Sequence, residues 1–308
     1  MPTTNESPTL ASLEDPNLIH PGEVQIEEQS RNVDPNNPRW GIPGALLIWF
    51  VSFALQAFIP LLFLIPLIFR RGLNPSSPEF GRLFVELAVT DKTAIFLQII
   101  SILPTHLLTL ALLWVFVTRF GKRPFLASFG WGWRYGRWEG VWLALLGIGL
   151  FITGGALAKL LGADKPTQLE LIINSSTAAR YAIAALAVFT APFVEEFVYR
   201  GVLYSALQRT IGVNGAVVFV LGLFTLIHVP QYWPNIGVIS AVALLSLVLT
   251  IVRAYSGRLL PCVVIHMAFN AVQAIILIVE PYVQRFFPTT PPAVPTASML
   301  LHLIHLIF

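Results

Sequence analysis

Between residues 42 and 279 the chain holds seven stretches of about twenty residues in which charge is nearly absent. No other feature constrains the fold as tightly. The stretches run over 42–69, 94–117, 141–161, 181–207, 213–229, 237–254 and 259–279. Each is about as long as a helix that crosses the hydrocarbon core of a bilayer. In that core no water satisfies backbone polar groups, so a run of this kind must bond to itself as a helix. Composition agrees. The chain is 56% hydrophobic and 11% charged, with a mean hydropathy of +0.73, whereas a soluble domain is about 25% charged. The expected fold class is therefore all-α, a polytopic membrane helix bundle of about seven transmembrane helices. The eleven-residue apolar end of the chain is too short to span unaided, and an eighth crossing would have to draw on it.

The expected division of the chain has four parts. Residues 1–40 are rich in Pro, Asn, Ser and Glu and lack apolar periodicity, so they read as a disordered polar region without the basic start of a signal peptide. Residues 41–139 hold two spans and a segment mixing Arg with Trp and Phe, which suits headgroup level. Its aromatic residues Trp131, Trp133, Tyr135 and Trp138 read most simply as an interface anchor. Residues 140–280 hold the remaining spans, and 281–308 form a Pro-rich, then apolar, tail. Pro43, Pro60 and Pro66 predict kinks in the first span. No internal repeat is visible, and the single cysteine excludes an intrachain disulfide. With seven spans, eleven Lys or Arg fall on the N-terminal side and seven on the other, which predicts a cytoplasmic N-terminus. A bilayer is the implied surroundings, and nothing suggests nucleic acid as a partner.

Three polar clusters interrupt the apolar runs. Ionisable groups at membrane depth are costly and mark functional sites by default. The first is "EEFVYR", Glu195 to Arg200. Neighbouring helix positions differ by about 100°, so Glu195 and Glu196 point apart, while Glu196 and Arg200 can pair at i, i+4. Pro192 upstream is expected to open the backbone nearby. The plain alternative is an ion pair locking two helices, and the extra Glu195 argues against it. The second cluster is Phe224-x-x-x-His228, which alone would read as a packed or interfacial histidine. The third is His266-x-x-x-Asn270, on one helix face, which alone could be interhelical glue. Counted from the presumed cytoplasmic ends, Glu195, His228 and His266 lie about 12, 15 and 7 residues deep, so tilt could bring them together. A carboxylate, two imidazoles and an amide in a dry cavity form a hydrolytic constellation. His106, in the second span, reads as packing or a helix contact.

In this order the clusters resemble the signature of the CAAX-protease and bacteriocin-processing (CPBP, or Abi) family of intramembrane proteases, of the Ras-converting-enzyme type. The likeness covers roughly residues 140–280. It implies that Glu195 and His228 activate a water, that His266 and Asn270 stabilise the oxyanion, and that Arg200 holds Glu196 and the helix presenting Glu195. It implies a membrane endopeptidase acting on a peptide or protein, CAAX-type or peptide-processing, with lipidation of the substrate left open. Two mechanisms remain. A glutamate protease needs no cofactor. A metalloprotease would hold Zn²⁺ on Glu195, His228 and His266, with Glu196 as base. Asn270, a poor zinc ligand and a good donor, tips the reading toward the metal-free form. No His-Glu-x-x-His or Gly-x-Ser-x-Gly motif is present, and Asp91 and Asp164 fall in loops, so other intramembrane protease classes fit less well. Outside the protease class, a proton-coupled transporter or a non-catalytic scaffold or immunity protein would also place charge in the membrane.

Overall fold

The computed structural model describes residues 33–163 and 165–286. The expectations for residues 1–32, Asp164 and the tail past 286 lie outside the described residues. Among these residues the structure is all-helical, without a strand. Six continuous helical runs are long and apolar enough to cross a membrane. They are built from α1 (Ile42–Arg70), α3 (Lys92–Thr118), α4 (Arg137–Leu160), a composite run from Thr177 to Tyr232, α9 (Ile236–Ser256) and α10 (Leu260–Phe286), with α2 (Phe80–Thr90) and α5 (Gln168–Ile173) as short connectors.

The composite run explains why six runs replace the seven expected spans. It joins α6 (Thr177–Phe189), α7 (Ala191–Glu196), a π-helical segment (Phe197–Leu203) and α8 (Tyr204–Tyr232). Its 56 residues would stretch about 84 Å if straight, against a hydrocarbon core of about 30 Å. It is not straight. Gly212 has φ 73° and ψ 170°, a backbone that only glycine adopts without strain. Phe224 packs edge-on against Tyr199 at 5.1 Å between ring centroids, although a straight helix would hold them about 37 Å apart. The chain therefore folds back at Gly212, and the fourth and fifth expected spans form the two arms of a hairpin.

Local signals set the ends. Asp91 caps α3 by accepting from the amides of Thr93 and Ala94, Ser176 caps α6 through Ala179, and Asn235 caps α9 through Val238. Gly257, at φ 68°, ends α9. Pro43 sits in the first turn of α1, where no helical bond is lost, while Pro60 and Pro66 lie inside it. α4 packs on α10 and α9, α6 on α10, and α1 on α3. A close approach makes the α4–α10 contact possible: a Cβ on Gly147 would lie 2.4 Å from the Ile265 carbonyl oxygen, beside His266. Small residues serve this purpose where helices pack in lipid.

Two expectations need correction. Residues 34–40 are not a free tail. The Asn36 side chain and Pro35 carbonyl accept from Arg253 at 2.7 and 2.9 Å, the Asn36 carbonyl from Gln208, and the Pro38 carbonyl and Asn37 side chain from Arg209. The Trp131 region is also more than an anchor. Phe129 is buried, and Trp131 stacks on Phe197 of the π-helical segment at 5.5 Å. Trp133, Tyr135 and Trp138 remain exposed. A run of mixed Arg and aromatics looks alike in sequence whether its rings face lipid or the bundle.

Candidate active site

The chain leaves the α6 geometry at Thr190, whose φ of −124° and ψ of −42° are not helical. The helix restarts at Ala191, with Pro192 in its first turn, so the break lies at Thr190 and Pro192 begins the new helix instead of interrupting the old one. Side chains bond the carbonyls around the break. Leu186 accepts from both the amide and the hydroxyl of Thr190 at 3.1 Å, and Ala187 accepts from Asn270 Nδ2 at 2.8 Å. Glu195 and Glu196 close α7, and the backbone then widens into the π-helical turn that carries Arg200. Such turns recur at functional sites.

Glu196 and Arg200 have no solvent exposure at all. Arg200 donates to Glu196 Oε1 at 3.1 Å, to Thr250 Oγ1 at 3.2 Å, and to the Ser246 hydroxyl and carbonyl at 2.9 and 3.0 Å. Its guanidinium also lies over the Phe224 ring, 4.5 Å from the centroid. Glu196 Oε1 further meets His266 Nδ1 at 2.8 Å. The expected Glu196–Arg200 pair therefore forms, and it extends through α9 on one side and His266 on the other. Glu196 Oε2 is buried without a partner among the described residues.

Glu195 is different. Its side chain keeps 24% exposure and lies 3.8 Å from His266 Nε2. His266 stands between the two glutamates, bonded to the sealed one and facing the open one. His228 donates from Nδ1 to the Phe224 carbonyl at 2.7 Å, since a carbonyl can only accept, and in the neutral ring this leaves Nε2 as the acceptor. The His228 and His266 rings both flank Phe224, at 4.5 and 6.4 Å. Asn270 lies one turn beyond His266 on the same face. One amide hydrogen goes to Ala187, and the second is left for another acceptor.

The structure thus brings Glu195, Glu196, Arg200 and His266 into direct reach, seats His228 beside them through Phe224, and ties Asn270 to the broken helix that leads to Glu195. For a metal, the donor chemistry is suitable: each histidine is oriented through Nδ1 and presents Nε2, as metal-bound imidazoles do. The spacing is not suitable, since among the described residues no three His, Cys, Asp or Glu side chains stand close enough to hold one ion. No step is routed through a metal below.

Sequence reasoning missed four contributors. Ser246 and Thr250 are neutral residues inside an apolar run, and no motif marks them. Trp49 donates from Nε1 to the Tyr199 hydroxyl at 2.9 Å, and Trp40 donates to the Val202 carbonyl at 3.1 Å, both within the π-helical segment. His106, buried in α3, makes the helix contact expected of it. It meets the Thr190 hydroxyl at 2.8 Å, at the helix break, and lies within electrostatic reach of Glu195.

These features define a class: a multi-pass helical membrane protein with a buried carboxylate–histidine–guanidinium site. The comparisons give the family. Residues 177–272 match the family model described as type II CAAX prenyl endopeptidase Rce1-like, a segment that contains every residue of the three clusters. That match supports the resemblance to the CPBP (Abi) family and, with it, an intramembrane protease of the CAAX type. No curated protein and no solved structure matches it.

Proposed function

We propose that the site hydrolyses a peptide bond with a water held between Glu195 and His266. The 3.8 Å between His266 Nε2 and Glu195 Oε2 carries this reading. It is too long for a hydrogen bond and short enough for one water to touch both atoms. Glu195 accepts the water's proton, with the free Nε2 of His228 as a second acceptor. The water oxygen bonds to the carbonyl carbon. With a proton on each ring nitrogen, His266 donates one hydrogen bond to Glu196 and, with the spare Asn270 amide hydrogen, another to the developing oxyanion. Glu195, Glu196, Arg200 and that imidazolium then sum to zero charge, the arrangement a low-dielectric interior tolerates. As the C–N bond breaks, Glu195 returns its proton to the leaving amine. A peptide and a water become a carboxylic acid and an amine.

The substrate in this reading is a membrane-presented peptide or protein ending in a CAAX-type sequence, lipidated or not. In this reading the N-terminus lies on the cytoplasmic side, the side with more basic residues when Arg200 and Arg253, buried in the bundle, are left out of the count. The test is cleavage of farnesylated and unmodified CAAX peptides by the protein in proteoliposomes, with products weighed after reaction in ¹⁸O water. The wild type should place one heavy oxygen in the new carboxylate, and Glu195→Ala, inserted in equal amount, should release nothing. Equal cleavage by Glu195→Ala would overturn the assignment.

A further inference from the structure

A second site lies away from the glutamates. α1 and α3 enclose a groove of about 870 Å³. Gly44 permits the approach that shapes it: a Cβ there would lie 3.0 Å from the Phe116 ring. The groove's wall is apolar, with Leu47 and Val115 along it, and its rim carries Arg39, Arg119, Lys122 and Arg123. The four cations come from chain segments some eighty residues apart. None of their side chains has an ion-pair or hydrogen-bond partner among the described residues.

The backbone is shaped to keep them there. Arg119 and Phe120 have φ of 50° and 59°, and Gly121 has φ 82°. Three successive left-handed residues turn the chain sharply at the end of α3 and bring Lys122 and Arg123 back over the groove. Two of the three are not glycine, so the turn is strained. The negative end of the α3 dipole offsets part of one charge. Partial burial and the like charges of Arg119 and Arg39 push the Arg123 guanidinium below its ordinary value. A topology signal alone calls for basic residues in a loop. It does not call for their convergence on an apolar groove between two helices.

We infer that this groove binds an anionic phospholipid, its phosphate held by the four cations and an acyl chain lying along Leu47 and Val115. The charge is complementary, the wall suits a hydrocarbon chain, and basic pockets between membrane helices take headgroups of this kind. Trp40 lines the same groove and donates to Val202 in the π-helical segment, so an occupied groove would brace the turn that carries Arg200.

The test titrates the detergent-solubilised full-length protein with phosphatidylglycerol, phosphatidylcholine and inorganic phosphate, and counts bound species by native mass spectrometry. Phosphatidylglycerol should bind well above phosphatidylcholine. The triple variant Arg119→Gln/Lys122→Gln/Arg123→Gln should lose about a hundredfold in phosphatidylglycerol affinity, at about fivefold per cation, with phosphatidylcholine unchanged. If that variant melts below the wild type in phosphatidylcholine, the double variant Arg39→Gln/Lys122→Gln, at two exposed positions, should still lose about twentyfold. Unchanged phosphatidylglycerol binding in a folded variant would overturn the site. Inorganic phosphate binding as tightly as phosphatidylglycerol would overturn the lipid assignment.

Discussion

Glu195 and Glu196 are neighbours with opposite circumstances. Glu196 is fully buried and shares one oxygen between Arg200 and His266. Glu195 keeps access to solvent, and among the described residues the only ionisable side chain at an ion-pair distance from it is His266, at 3.8 Å. A turn of 100° between adjacent helix positions sends one carboxylate into the bundle and leaves the other partly exposed. A charge buried at that depth needs a counter-charge and further polar contacts, which Glu196, Ser246, Thr250 and the Phe224 ring supply around Arg200. The sealed half therefore sets position, and the open half is left to react.

The sharpest way to break this contrast is to unseal the first half. Arg200→Met leaves Glu196 buried without its cation and should cost about 3–5 kcal/mol of stability, read as a large fall in Tm in detergent. A melt within a degree of the wild type would show that the pair is not what holds the helices. Gly147→Ala presses on the contact that seats His266, since its Cβ would lie 2.4 Å from Ile265 O. A loss of about 1–3 kcal/mol is expected, with a fall in turnover beyond what the folded fraction explains. Trp49→Phe removes only the indole donor to Tyr199 and should cost about 1 kcal/mol, checked by the same melt. Treatment with a strong zinc chelator should leave turnover unchanged. Inactivation that added Zn²⁺ reverses would move Glu195 and both histidines into a metal site.

Much of this contrast was legible in the sequence. Periodicity alone separates Glu195 from Glu196 and pairs the latter with Arg200. Apolar length alone located the spans, and the hairpin at Gly212 kept the fourth and fifth distinct although the helix runs through. What the sequence hid is neutral or distant. Ser246 and Thr250 carry no charge in an oily run, and their value appears only when Arg200 reaches them from another helix. Trp40 and Trp49 lie some 150 residues before the turn they bond. The docking of residues 34–40 was hidden for a related reason: a polar, proline-rich segment looks unstructured until its carbonyls meet Arg209 and Arg253.

The central claim is that the open glutamate reacts while the sealed one holds. The measurement that tests it most directly compares Glu195→Gln with Glu196→Gln in one proteoliposome cleavage assay, with Tm recorded for both. Glu195→Gln should lose about 10²–10⁴-fold in turnover, the range of an acid–base group, with its Tm unchanged. Glu196→Gln should lower Tm and lose activity in step with folding. Full turnover by Glu195→Gln would contradict the account, as would a Glu196→Gln protein of native stability and no activity.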